Sequence, residues 1–581
     1  MLVALMCWGR VRKFILALCV VLAGFLVLGG LWLTSGPGSA QYANVERYAA
    51  ATANRYATEA ALQMLRKHGS SVDAAIAAQL VLTLVEPQSS GIGGGLFLLV
   101  SDAKGQMRVF DGRETAPASA SPEMYLNEKG QPRPLAEIAT GGLSVGIPGA
   151  IAALELAHRR YGKLAWRDLF ASAIRLAEAG FTISPLLAEA ISELDASSLD
   201  QGMRRAYFRA DGTARRAGET LRDPELARTL RAIAEGGSAA FYQGEVAQAI
   251  VASVQSSPRN PSRMTLDDLR GYKAEERSPL CMRAFHYNVC TSPAPSGGVS
   301  LLQILGLLQN RAREALRMGS VSQVHLVSQA QRLAYADRAK WMADPAFTSV
   351  PEAGLLQPEY LRYRANLINE RSDMGPAAAG TPPQRNARDY APHRTDTLHG
   401  TSHVAIVDDT GLIVSMTSSI QAAFGAQIRA AGFVLNNELT DFSREAQNNG
   451  KPVANAPAPG KRPLSAMSPS IVLDSRGGFF AAVGSPGGPE IITYNAQALV
   501  NLLAGKESMQ RALSAPHFAN LNGPTVLESS THLVAIAPWL YLKGHAVRLR
   551  KLQSGLNGIR KTPSGYEVAT DTRGEGLAAG D

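Results

Sequence analysis

A threonine that opens a β-strand directly after an irregular stretch can be an unusual kind of nucleophile. Thr401 heads the segment TSHVAIVDDTGLIVSMTSSI, two β-rich runs joined near Asp409-Thr410-Gly411. Residues 372–400, just before it, are rich in Pro, Gly, Ala and polar residues and show no periodicity. They read as an exposed or mobile loop. If the backbone is cut before Thr401, its α-amine becomes free. Such an amine titrates near pH ~8 and can act as general base for its own hydroxyl. One residue then supplies both nucleophile and base. Attack of Thr401 Oγ on the Gly400 carbonyl would make the cut autocatalytic, and glycine permits unusual backbone angles there. With a turn centred on Asp409-Thr410, Thr401 is expected opposite Ser418, beside Thr417 and Ser419.

Other stretches imitate catalytic motifs. Gly142-Leu143-Ser144-Val145-Gly146 fits G-x-S-x-G. A nucleophile elbow needs a strong strand before it and a helix directly after. QPRPLAEIATG is a poor strand, and Pro148 and Gly149 delay the helix, so Ser144 is set aside. GIGGG at 91–95 lacks the lysine of a phosphate loop and has Leu96 where a dinucleotide fingerprint needs glycine. It reads as a tight turn near the active site. Cys281 and Cys290 could bridge a short hairpin or remain two separate buried thiols. Neither has the neighbouring histidines of a zinc site.

The elements that must position these residues alternate between helical and strand patterns. Residues 41–85 read as helices. RYATEAALQMLRKHG ends on Gly69 as a C-cap, and SSVDAAIAAQLVLTLV starts from Ser70 or Ser71 as N-cap. Leu96–Val100 and MRVFDG read as strands. Residues 148–181 read as two amphipathic helices broken near Gly162, and 222–255 as helical. SPLCMRAFHYNVCTSP reads as a strand pair. Helices are expected over SGGVSLLQILGLLQNRAREAL and SQVHLVSQAQRLAYADRAKWM.

The chain has 581 residues, of which 46% are hydrophobic and 18% charged, so it can bury a large core. Its net charge of +9 is spread without a long Lys/Arg tract, which gives no support to a nucleic-acid role. Arg10, Arg12 and Lys13 precede an uncharged apolar run, Phe14–Leu33, of 20 residues. That run is long enough to span a bilayer, and its basic flank places the rest of the chain outside the cytoplasm. An uncleaved anchor is the favoured reading. A signal peptide cut after Gly38-Ser39-Ala40 is the alternative. Either reading gives a stub and membrane or signal segment over 1–40, then an exported body in the cell envelope.

The segments EPQSSGIGGGLF, DGRETAP, SVGIPGAIAALELAHRRYGKL, PLC…VCTSPAPSGG, LAYADRAKWMADPAF, GTSH, LNNELTDFS, PGKRPLSAMSPSIV and GSPGG occur in this order. Together they resemble the ordered motifs of the γ-glutamyltransferases, which are N-terminal-nucleophile hydrolases. The resemblance covers roughly 44–580. It implies an α+β fold, a four-layer αββα sandwich built jointly by a large fragment, 41–400, and a small fragment, 401–581. The precursor would cleave itself between Gly400 and Thr401. Thr-Ser-His stands at 401–403 where the family has Thr-Thr-His.

The resemblance also implies roles. Arg113 and Ser465 would hold the substrate α-carboxylate, the arginine through its planar fork. Ala466 stands where the family has a second serine. Glu438, Asp441 and Gln421 would meet the α-ammonium, with Gln421 in place of the usual asparagine. Gly487 and Gly488 would give backbone N–H groups to the oxyanion. Thr417 and Ser419 would orient the nucleophile. The implied chemistry is acyl transfer through a γ-glutamyl-threonine ester, from glutathione and related γ-glutamyl compounds to water or to an amino acid or peptide, with no cofactor and no metal. Two alternatives remain. One is an acylase with the same Thr401 acting on glutaryl or D-glutamyl amides, motivated by Ala466 and Gln421. The other is an uncleaved, inactive, membrane-anchored binding protein.

Overall fold

The computed structural model describes residues 41–383, 388–393 and 398–581. The expected anchor Phe14–Leu33, the Gly38-Ser39-Ala40 site, Cys7 and Cys19 lie outside the described residues. Among the described residues no helix is long and apolar enough to cross a membrane.

Two seven-stranded sheets form the centre. One runs Leu577–Gly580, Ala49–Thr52, Thr401–Val407, Ile413–Ser419, Gly95–Ser101, Met107–Gly112, Glu275–Arg277. The other runs Tyr42–Val45, Gly565–Thr570, Asn557–Thr562, Phe479–Gly484, Ser470–Leu473, Tyr287–Thr291, Leu280–Ala284. Neighbours within each are antiparallel. Both sheets mix strands from before and after residue 400, so neither part has a complete sheet alone.

Strand alternation sorts the side chains into layers. Ala405 and Val407 face the opposite sheet, in an alanine-rich layer with Ala49, Ala51, Ala482 and Ala578. Val404 and Ile406 face outward, onto the helices Arg55–Arg66, Ser71–Val85 and Ala150–Tyr161. The second sheet buries its outer face against Gly298–Leu308, Val321–Trp341 and Ile491–Leu503. The result is the helix–sheet–sheet–helix sandwich that the family resemblance implies.

Most expected elements are present, with corrections. Residues 41–54 are not helical. They contribute the strands Tyr42–Val45 and Ala49–Thr52, the second being the short alanine run of the inter-sheet layer. The helix Arg55–Arg66 ends before Gly69, and His68 rather than the glycine takes the left-handed conformation (φ 58°). Ser70 caps the next helix through a reciprocal box with Asp73. Cys281 and Cys290 face each other on adjacent strands and form a disulfide. The stretch before Thr401 is more anchored than its composition suggests. Gly380 N donates to Asp337 at 2.7 Å, His393 N donates to Ala339 O at 2.9 Å, and Gly400 is buried.

The hairpin register differs from the expected one by one residue. Thr401 pairs with Ser419, Ser402 with Ser418 and His403 with Thr417. The reason lies in Asp408. Its Oδ1 accepts from Thr410 N (2.9 Å), Thr410 Oγ1 (2.6 Å) and Leu412 N (3.1 Å), and its Oδ2 accepts from Ser71 N (3.0 Å). The loop is therefore wrapped around Thr410, with Gly411 at φ 80°, rather than centred between Asp409 and Thr410.

Asp408→Ala should therefore lower stability by about 1–3 kcal/mol, because buried donors lose their acceptor. Urea denaturation measures this. A loss indistinguishable from zero would show that the turn does not depend on Asp408.

Candidate functional site

Thr401 begins a strand that outruns one of its neighbours. Ala49–Thr52 pairs only with Val404–Val407, so Thr401–His403 keep a partner strand on one side alone. This leaves the strand head at the mouth of the sandwich. By alternation, Thr401 and His403 point between the sheets, while Ser402 points to the helices. Ser402 accordingly exchanges a hydrogen bond with Ser90 (3.0 Å), and its neighbour Ser418 donates to Gln79 (2.6 Å). Residue 402 thus faces away from Thr401, and serine serves there through its bond with Ser90.

Thr401 Oγ1 donates to Ser419 Oγ at 3.2 Å, and Ser419 Oγ donates to Gly400 O at 2.8 Å. Gln421 N donates to Ser419 Oγ at 2.8 Å and fixes it from the third side. Gln421 holds this position with a left-handed backbone, φ 78°, uncommon for a residue with a β-carbon. Thr417 is one step further in, and its hydroxyl bonds His403 Nδ1 at 2.8 Å rather than Thr401. Burial pushes His403 down to about 3, so it is neutral. It packs against Gly484 of the opposite sheet, where a Cβ would come within 2.2 Å of its ring.

That opposite strand, Phe479–Gly484, continues into Ser485-Pro486-Gly487-Gly488. Gly487 and Gly488 both have positive φ, 128° and 58°. At Gly488 a Cβ would lie 2.0 Å from the carbonyl oxygen of Leu398. The segment entering Thr401 therefore runs directly across the glycine pair. The GIGGG turn packs from below, as expected: a Cβ on Gly94 would lie 1.9 Å from Ser419 O. Ser144 is buried and bonds Gly141 O at 2.9 Å, away from these groups.

The charged residues gather on the other side of Thr401. Arg113, fully buried, donates from Nε to Pro463 O (3.1 Å), from Nη1 to Glu114 (3.2 Å) and Glu438, and from Nη2 to Asp441 (2.6 Å) and Leu464 O (2.9 Å). Gln421 Nε2 donates to the other oxygen of Asp441. Burial raises Glu114 well above the usual carboxylate range. Burial also raises Asp441, to about 7, with Arg113 opposing and Glu438 adding to the rise.

A cavity of ≈ 40 Å³ joins this cluster to Thr401. Its wall includes Thr401, Ser419, Gln421, Asp441, Ser465 and Gly488. Ser465 N donates to Pro295 O (2.8 Å), and Ser465 Oγ accepts from Met467 N (3.2 Å). Arg113 belongs to the cluster but not to the cavity wall. The wall also carries two titratable residues that were not singled out from the sequence, Arg338 and His393. Arg338 lies in the last turn of the helix Val321–Trp341, within the segment LAYADRAKWMADPAF, whose resemblance gave it no role of its own. A second, larger groove of ≈ 360 Å³ opens on the opposite side of Thr401, between Gln88-Ser89, Leu186–Glu193, Gly487 and Lys551–Ser554.

The family model for gamma-glutamyltranspeptidase matches residues 57–581. The glutathione hydrolase proenzyme of Bacillus subtilis is 36% identical over 475 residues, 80% of this chain and 79% of that one. The glutathione hydrolase proenzyme of Pseudomonas aeruginosa is 33% identical over 563 residues, 94% of this chain and 97% of that one. Among solved structures, a cephalosporin acylase from Bacillus halodurans is similar with a TM-score of 0.82 at 27% identity, covering 94% of this chain and 98% of that one.

The raised Asp441 has a testable consequence. A carboxyl whose folded pKa lies above its unfolded value of ~3.9 stabilises the fold most at low pH and loses that contribution as pH rises. Relative to Asp441→Asn, the wild type should lose stability between pH ~4 and about 7. Denaturant unfolding across that range decides it. A difference that grows in favour of the wild type would mean that Arg113 outweighs burial and holds the group ionised.

Proposed function

We infer that this chain, which belongs to the gamma-glutamyltranspeptidase family, is a self-processing γ-glutamyl hydrolase and transferase with Thr401 as nucleophile. The observation that carries this reading is the relay Thr401 Oγ1 → Ser419 Oγ → Gly400 O. It couples the attacking hydroxyl to the carbonyl it must attack.

In the first step Thr401 Oγ bonds to the Gly400 carbonyl carbon. Its proton passes to Ser419 Oγ, and the Ser419 proton passes to the carbonyl oxygen. The tetrahedral centre then collapses, the Gly400–Thr401 C–N bond breaks and the nitrogen takes a proton. An ester of Gly400 on Thr401 remains, and water hydrolyses it. The products are a Gly400 carboxylate and a free Thr401 amine. Departure of Leu398–Gly400 clears the glycine pair and enlarges the cavity, which at ≈ 40 Å³ is small for an acyl chain.

In the mature enzyme the Thr401 amine takes the hydroxyl proton as Oγ attacks the γ-carbonyl. Gly487 and Gly488 N–H groups stabilise the oxyanion. The amine product leaves with a proton, and water or the amine of an amino acid or peptide resolves the γ-glutamyl ester. Glu438, Asp441 and Gln421 meet the substrate ammonium at the far end of the cavity, where Arg113 holds the two acids. Glutathione is the substrate named by the curated relatives and the first to test. The acylase reading is the second, and Ala466, Gln421 and the likeness to a cephalosporin acylase favour it. The body of the protein is proposed to lie outside the cytoplasm, tethered through Phe14–Leu33, on the strength of the basic flank before that run.

Expressed protein should split into fragments of 400 and 181 residues, the smaller beginning Thr-Ser-His-Val. Thr401→Ala should remain one inactive band on denaturing electrophoresis. Ser419→Ala should mature more slowly by roughly 100-fold, the cost of one oxyanion donor. Maturation of Thr401→Ala with full turnover would remove the nucleophile assignment. A panel of γ-glutamyl, glutaryl and D-glutamyl anilides separates the two enzyme readings, because outright preference for glutaryl would replace the γ-glutamyl one. A reporter active only in the cytoplasm, fused after residue 60, should be silent, and activity there would overturn the topology.

A further inference from the structure

Five of the nine large apolar side chains that stand exposed among the described residues fall between positions 534 and 549: Val534, Trp539, Tyr541, Leu542 and Leu549. Scattered singly, such residues need no explanation, but a concentration of them marks a surface that meets something. The short helix Ala537–Leu542 buries only Leu540. With about 100° between successive residues, Trp539 and Tyr541 lie on its two flanks and Leu542 on its crest, 79% exposed. The strand Val547–Arg550 follows as the edge of a three-stranded sheet with Phe518–Ala519 and Thr525–Glu528. Tyr541 Oη donates to Val547 O at 3.2 Å and ties the helix to that edge. Leu549 stands two residues further along, on the same face as Val547.

The margin of this surface is basic. Arg548 and Lys551 are exposed, and neither enters an ion pair among the described residues. The acids of the adjoining segments are already taken: Glu370 by Arg311, Asp373 by Arg332, Glu490 by Arg550 and Glu528 by Arg573. Aromatic rings and leucines inside a rim of uncompensated cations suit an anionic bilayer surface. The rings sit at headgroup level, and long basic side chains reach the phosphates. A second copy of the chain fits less well, because it would set Arg548 and Lys551 against themselves, and charge along an edge strand opposes pairing. The chain outside the described body also supplies a bilayer to meet. Seven residues, 34–40, separate the run Phe14–Leu33 from Gln41, a reach of about 25 Å when extended. Gln41 O accepts from Thr570 N (2.8 Å), and its side chain donates to Gly574 O (3.2 Å). Next to Gly574, Arg573 grips Glu528, which pairs with Arg550 in the edge strand. A short run of contacts therefore joins the point where the chain enters the body to this surface.

We propose that the surface formed by Trp539, Tyr541, Leu542 and Leu549, with Arg548 and Lys551 at its rim, docks onto anionic phospholipid headgroups and holds the body against the bilayer. Its setting rests on the tethered reading of Phe14–Leu33. Lys551 also lines the larger groove beside Thr401, so docking sets that groove next to the headgroup layer.

The test uses the body beginning at Gln41, the form that a cut after Ala40 would leave, so its outcome does not depend on the anchor. Residues 41–581 carry both sheets and the helices that cover them, and a cooperative urea transition is the folding check. Wild type should co-sediment with vesicles of equal parts phosphatidylglycerol and phosphatidylcholine, stay free of vesicles of phosphatidylcholine alone, and be released by high salt. R548E/K551E should weaken binding by at least about 25-fold, at about fivefold for each basic residue lost. W539S/L542S should weaken it by at least about tenfold. F347S, which removes an exposed aromatic outside this surface, should match wild type. Absence of wild-type binding, or double variants that bind as wild type does, overturns the proposal. So does a wild type that ignores vesicles and forms a dimer lost in W539S/L542S, because the surface then belongs to a second copy. If the body from Gln41 does not fold, the full chain in nanodiscs of the same two compositions replaces it. Amide exchange over 534–551 should be slower on the anionic discs, and equal exchange overturns the proposal. The reporter fused after residue 60 judges the tether separately. A silent reporter without vesicle binding ends the docking alone, and vesicle binding with an active reporter ends the topology alone.

Discussion

The pairing of Thr401 with Ser419 fixes where every other group at the site must stand. Side chains in a strand alternate with a period of two, so a shift of one residue would send Thr401 to the helix face. There it would meet the surroundings now occupied by Ser402, which are Ser90 and the helix Ser71–Val85. The register is held at the far end of the hairpin by Asp408, seven residues from the nucleophile. It is held at the near end by Gln421, whose strained backbone turns its N–H onto Ser419. Strain of this kind costs of order 1–3 kcal/mol. The same turn aims the Gln421 side chain at Asp441, so one residue links Ser419, the partner of Thr401, to the acid cluster.

The acid cluster is the second constraint, and its logic is that of burial. Three carboxyls around one guanidinium cannot all be charged cheaply in a dry environment. Burial drives Glu114 toward its neutral form and raises Asp441 to about 7.

Much of this was legible in the sequence, though unevenly. Thr401 was a weak signal by local pattern and stood out only with the family motifs around it, whereas the strand pair at 280–291 and the helices of the outer layers followed from simple patterns. The strands at 42–52 were missed because YANV and AAAT are too short and too alanine-rich to carry a β signal. Their conformation is imposed by the sheets they complete. The hairpin register was missed because it depends on a side chain, Asp408, that hydrogen-bonds within the loop and reaches a helix more than 300 residues earlier in the chain. Arg113 stood out only within a recognisable motif. Arg338 lies within another such motif but was given no role there, and its place on the cavity wall is a property of the packed structure.

The two openings beside Thr401 give the site an order of events. One leads to the acids, Ser465 and Arg338, and the other to the larger groove lined by Glu189, Glu193, Lys551 and Arg573. An acyl group seated in the first would direct the rest of its molecule into the second. The segment Leu398–Gly400 currently occupies the ground between them, with the Leu398 carbonyl against Gly488 and with His399 and Gly400 lining the larger groove. On the proposed reading the precursor's own chain stands where a substrate amide would stand, with the Gly400 carbonyl already hydrogen-bonded to Ser419. Self-cleavage and turnover then use the same hydroxyl against two amides in succession. The first must be removed before the second can enter, so the intact precursor is blocked by its own first substrate.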